Sequence, residues 1–176
     1  MKIYIYLLIV LFSFSNQAFC QSIEKLDEKY GFKGFKFGSP PDLTVSKKIE
    51  GKDKNQNITT YLYTGEELKQ LYNAEIDLIK LLYFKSKLMK IFVQFKTPFL
   101  ASEYKIVLSS LQQLFGEGIA CTSDDPRLST LNGRKWIGSK VEMELNHFYY
   151  EEKSDWYGYL VLESKSIEKL SLDDQF

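Results

Sequence analysis

Between Ala74 and Gly118 the chain carries its clearest pattern. Two apolar runs, residues 74–84 and 88–97, flank the polar turn Lys85-Ser86-Lys87 and predict a long hairpin. In the first run Leu78, Leu82 and Phe84 alternate with Ile79, Leu81 and Tyr83, which predicts an inner strand covered on both faces. In the second, Met89, Ile91, Val93 and Phe95 share one face, while Lys90, Gln94 and Lys96 share the other and meet water. A helix is expected over 98–115, with Thr97 as N-cap, Pro98 in the first turn and Gly116 as the stop. Leu100, Tyr104, Val107, Leu108, Leu111, Leu114 and Phe115 follow three-and-four spacing and form its buried stripe.

The flanking segments read as additions to this block. Ser22 caps a short helix with Ile23, Leu26 and Tyr30 on one face, ended by Gly31. Residues 34–38 alternate between two glycines and suit a short strand, 42–57 is a polar exposed connection, and 58–64 is a strand rich in β-branched and aromatic residues. Thr64-Gly65-Glu66-Glu67 has the form of a capping box and predicts a brief helix carrying Leu68, Leu71 and Tyr72. Residues 116–133 lack periodicity and read as a long loop. Residues 134–137 and 140–150 are expected to form a strand pair or one strand bent around Gly138-Ser139, with another strand at 156–163 and a fraying tail from Ile167. The fold class expected is α+β: a single antiparallel sheet of about five to seven strands with one main helix, 98–115, packed on one face.

The N-terminus changes the picture of where the protein works. Lys2 precedes an apolar run from Ile3 to Phe14, and Ala18 and Cys20 are small residues at the positions an export peptidase reads. A signal peptide over 1–20, cleaved before Gln21, and a single α+β domain over 21–176 are expected. The protein is then exported, periplasmic or secreted. The apolar run is shorter than the roughly 20 residues a bilayer span needs. Lipidation of Cys20 is the alternative; it would make the protein a membrane-anchored lipoprotein, and only then is membrane contact expected, but bulky Phe19 stands where lipidation signals usually carry a small residue.

The whole chain has 23 basic and 23 acidic residues, and losing Lys2 with the signal leaves a net charge near −1. No bulk field draws such a chain to nucleic acid, so no nucleic-acid partner is expected. With Cys20 removed, Cys121 is the only cysteine, which leaves no intramolecular disulfide and no thiolate metal cluster. Asp124 and Asp125 lack the alternating oxygen ligands of a calcium loop, and neither a metal nor a cofactor is assigned.

Candidate chemistry is sparse. Glu142 and Glu144 fall on one face of a strand, and His147 on its apolar register, with no serine nucleophile motif beside it. A small periplasmic hydrolase using His147 with Glu142 or Glu144 is the alternative function. The preferred expectation is a non-enzymatic binding or structural module of the cell envelope, because Trp136, Tyr149, Tyr150, Trp156, Tyr157 and Tyr159 cluster in the C-terminal strands and such aromatic residues anchor partners. Neighbours such as Tyr149 and Tyr150 point to opposite faces of a strand, and Trp136, Tyr150, Trp156 and Tyr157 are the candidate binding residues. Asp124 and Arg127 in the loop before them complete the candidate binding set, and the partner is an envelope protein or a surface ligand that the residues do not specify.

Three short motifs add a resemblance: Phe35-Lys36-Phe37-Gly38, the helix end Leu114-Phe115-Gly116, and Trp136-Ile137-Gly138 leading into a strand pair. With the export signal they make the chain similar to the small uncharacterised secreted or periplasmic envelope proteins of Gram-negative bacteria. In element order it also resembles the helix-on-sheet build of outer-membrane assembly lipoproteins and secreted β-lactamase inhibitor domains. The resemblance implies fold and compartment and carries no functional residue across.

Overall fold

The computed structural model describes residues 17–49, 57–121 and 128–173. The chain begins with helix α1 (Gln17–Lys29) and the two-residue strands β1 (Gly31–Phe32) and β2 (Phe35–Lys36). Strands β3 (Ser46–Ile49), β4 (Ile58–Tyr63), β5 (Gln70–Leu71), β6 (Ala74–Phe84) and β7 (Lys87–Phe95) follow. Helix α2 (Ala101–Phe115) leads to β8 (Ile119–Cys121), β9 (Leu128–Ile137), β10 (Val141–Tyr150), β11 (Asp155–Ser164) and helix α3 (Lys165–Asp173).

The expected sheet of five to seven strands with one main helix does not form. The chain is mostly β, 49% strand, with three helices, a nine-stranded sheet and a separate two-stranded one among the described residues. The large sheet runs β3-β4-β6-β7-β11-β10-β9-β8, with β5 paired to the start of β6. All of its pairings are antiparallel.

The added strands lie at edges and ends, which explains their silence in the sequence. β3 reads Ser-Lys-Lys-Ile and is held by backbone pairing to β4, with both lysines exposed. β8 pairs with β9 inside the expected loop, and Ile119 stays exposed. Such strands need no buried face, so no apolar alternation marks them. The capping box at Thr64 opens no helix: Leu71 is buried as part of β5, and Tyr72, at φ 56°, turns the chain into β6. Here tertiary pairing overrides a local cap.

Three further expectations are corrected. β6 is an inner strand, but it is covered along one face only: Ile79, Leu81 and Tyr83 are in the core, whereas on the other face Leu78, Lys80 and Leu82 are partly exposed and only Phe84 at the strand end is buried. The main helix starts at Ala101 instead of residue 98, because the Phe99 backbone is engaged elsewhere. Its N–H donates to the Trp156 carbonyl at 2.9 Å and its carbonyl accepts from His147 Nε2, also at 2.9 Å. Phe99 therefore enters the core and Leu100 is left 50% exposed, while the Glu103 carboxylate accepts from the Leu100 N–H at 2.9 Å. The tail is helical, with Ile167 buried in α3.

The core lies between the sheet and the α1–α2 pair. Leu26 of α1, Tyr104, Val107, Leu111 and Phe115 of α2, and the inward residues of β6, β7, β10 and β11 form one apolar cluster. A second, smaller cluster joins Ile167 of α3 to Phe84 and Met89. α1 spans the expected cleavage point between Cys20 and Gln21, and residues 1–16 lie outside the description. No helix among the described residues is long and apolar enough to cross a membrane.

Candidate binding face

Strand parity divides the candidate residues. On β10, Val141, Met143, Leu145 and His147 point into the core, so Glu142, Glu144, Asn146, Phe148 and Tyr150 take the other face. On β11, Leu160 and Leu162 are inward, so Tyr157, Tyr159 and Val161 are outward and half-exposed. The register sets Phe148 opposite Tyr157, and Val161 opposite Phe92 of β7.

The outward aromatics make a continuous run across three strands. Phe92 and Tyr159 stack at 5.5 Å, Tyr159 meets Phe148 edge-on at 5.8 Å, and Phe148 stacks on Tyr157 at 6.1 Å. Tyr150 meets Tyr157 edge-on at 6.1 Å and donates its O–H to Glu152 at 2.7 Å. Lys80 Nζ sits 5.8 Å from the Phe92 ring centre. None of these five rings belongs to either apolar cluster. Burial, with the Glu144 charge behind it, pushes the Tyr159 phenol up. It is therefore a protonated donor at neutral pH.

The run is bordered by charge. Lys135 pairs with Glu142 at 2.6 Å and Lys90 with Glu163 at 2.8 Å. Asn146, outward but buried, donates its amide to Glu144 and lies over Gly133 of β9, where a Cβ would strike its oxygen. Glycine is required at 133 for that close approach.

Of the expected binding residues, Tyr150 and Tyr157 come together in this run. Trp136 is 1% exposed, and its indole N–H donates to the Gly116 carbonyl at 2.7 Å. Trp156 faces inward, stacked on His147 at 4.6 Å. Asp124 and Arg127 lie outside the described residues. Sequence reasoning missed Phe92 and Phe148, and it placed Tyr159 in the aromatic cluster without choosing it as a binding residue. The two-residue steps Phe148–Tyr150 and Tyr157–Tyr159 were the available signal, and it becomes legible once strand register is fixed.

The residues of the alternative hydrolase do not meet. His147 points into the core between Tyr104 (4.9 Å, 15°) and Trp156, whereas Glu142 and Glu144 leave the other side of the same strand. Burial lowers the imidazole pKa, opposed by the hydrogen bond to Phe99. Cys121 is on the outward face, with its thiol pushed up by burial, so it is neither paired with His147 nor a ready thiolate. Among the described residues no group of three or more His, Cys, Asp or Glu is placed to hold a metal ion.

The fold and face define a mostly-β protein with α1 and α2 on one side of a broad antiparallel sheet and an aromatic run on the other, where α3 covers only the end beside the β6–β7 turn. No family model, no curated protein and no solved structure matches the chain.

Proposed function

We propose that the protein is a non-enzymatic binding module of the bacterial cell envelope, exported through its N-terminal segment, and that it holds a protein partner against the outward aromatic face. The observation that carries this reading is the unbroken run of half-exposed rings from Phe92 to Tyr150, outside both apolar clusters. Tyrosine and phenylalanine bring large contact area with few rotatable bonds, and the phenols add polar tips, a composition typical of interface hot spots. The ion pairs at the border match the polar rim of such interfaces.

Crosslinking in the native envelope, followed by mass spectrometry, compares the parent chain with Phe148→Ala/Tyr157→Ala. Both side chains are half-exposed, so the fold is expected to survive, as thermal unfolding would verify. Removing two central anchors is expected to cost about 2–4 kcal/mol of binding and to abolish the specific adduct. An adduct retained at parental yield by a folded double variant overturns the proposal.

A further inference from the structure

The two-residue hairpin β1–β2, the helices α1 and α2, and the inner face of the sheet border a half-open cavity of about 400 Å³. Its floor is Met143 of β10 and Leu162 of β11, both fully buried core residues. Leu26 of α1 and Leu111, Leu114 and Phe115 of α2 form the walls. Phe32 and Phe35 close it from the hairpin side. A volume of 400 Å³ falls within the range of ligand sites and, at roughly 30 Å³ per water-sized group, holds on the order of a dozen non-hydrogen atoms.

The mouth has a different chemistry. Lys29, Lys33 and Lys36 line it and are exposed, and no Asp or Glu lines it. Lys29 Nζ lies 5.4 Å from the Phe115 ring centre, which keeps that ammonium at the opening. None of the three lysines is ion-paired with a carboxylate among the described residues. Lys33 and Gly34 take φ of 45° and 94°, the left-handed pair of a tight two-residue turn, so Lys33 is presented from a fixed backbone. Tyr72 adds a phenol at the rim, and burial keeps it protonated as a donor. Three like charges around an apolar opening repel one another, and an anion relieves that repulsion.

We propose that this cavity binds a single-chain carboxylate amphiphile of medium length, with its tail against Met143 and Leu162 and its head among Lys29, Lys33 and Lys36. A purely apolar ligand would leave the cationic mouth unanswered, and a small hydrophilic anion would leave the floor and walls unfilled. This site goes beyond the partner surface proposed above. The cavity is inside the helix-covered face and the aromatic run is on the other, so either proposal can fail alone.

The test uses the full chain, as processed by the cells that make it and stripped of lipid, titrated calorimetrically with decanoate, decanol and decyltrimethylammonium below their micelle concentrations. Decanoate is expected to bind saturably, decanol about tenfold more weakly or worse, and the cation not at all. Lys33→Glu/Lys36→Glu changes only exposed side chains and is expected to weaken decanoate by about tenfold or more while leaving decanol unchanged. Leu114→Trp, which fills the cavity, abolishes binding of both. Absence of saturable decanoate binding, equal affinity for decanol, or indifference of decanoate to the lysine reversal overturns the proposal. The lysine reversal keeps the test decisive if the Trp substitution disturbs folding.

Discussion

His147 shows what one polar side chain requires inside an apolar core. It is 2% exposed, and its Nε2–H donates to the Phe99 carbonyl, which leaves Nδ1 buried without a partner among the described residues. A second proton would have to sit on Nδ1, between the Tyr104 and Trp156 rings, with no acceptor. Burial accordingly holds the imidazole below its ordinary 6.5, although the Phe99 hydrogen bond pulls the other way. The unfolded chain then takes up the proton first. Stability is full above pH 6.5 and is lost as the pH falls from there toward the lower folded value. Urea unfolding between about pH 7.5 and 5.5 is expected to show a loss in the parent that His147→Phe lacks, with a limiting slope of about 1.4 kcal/mol per pH unit. Parallel losses in the two proteins would show that this imidazole is not what titrates.

At the scale of elements, α1 buries little of its own surface. Of its described side chains only Leu26 is buried, and a short isolated helix is marginal in water. Its anchor is Asp27, whose carboxylate accepts from the Ser139 N–H at 2.6 Å and hydroxyl at 2.7 Å, and from the N–H groups of Lys140 at 2.8 Å and Val141 at 2.9 Å. Gly138 completes the cradle, since a Cβ there would strike the carboxylate. Burial pushes the Asp27 pKa up, but these four donors outweigh it and hold the group below its usual 3.8. The tether therefore persists above pH 3.8 and weakens as the pH falls below it. Asp27→Ala is expected to cost about 1–3 kcal/mol, in the lower part of that range because solvent reaches the carboxylate. It should also raise amide hydrogen exchange across α1 while the central strands stay protected. Unchanged exchange in α1 would mean that the helix is docked by its apolar contacts alone.

Across the whole molecule, the sheet carries two unequal apolar clusters. The large one joins the sheet to α1 and α2, and the small one seats Ile167 of α3 against Phe84 and Met89 beside the β6–β7 turn. Ile167→Ala is expected to cost about 2–5 kcal/mol. The resulting rise in hydrogen exchange should be confined to α3 and the β6–β7 turn, with α1 and α2 unaffected. An equal rise in all of them would make the two clusters one cooperative unit. The same division puts the cavity and the aromatic run on opposite sides of the sheet, so a ligand within and a partner without need not compete.

The strands β4, β6, β7, β10 and β11 and the buried stripe of α2 were legible in the sequence, because alternation by two and spacing by three and four are written locally by side chains that must share a face. β3, β5 and β8 were not, because backbone pairing to a neighbouring strand holds them and leaves no side-chain period. Phe99 looked like part of a helix until Trp156 and His147, distant in the chain, claimed its N–H and carbonyl. Parity alone told that Tyr149 and Tyr150 face opposite ways. Which of those faces the helices would cover, and that Phe92 would cross from β7 to join Tyr159, depended on strand order and register. Those are set by contacts between residues far apart in sequence, and only the folded chain decides them.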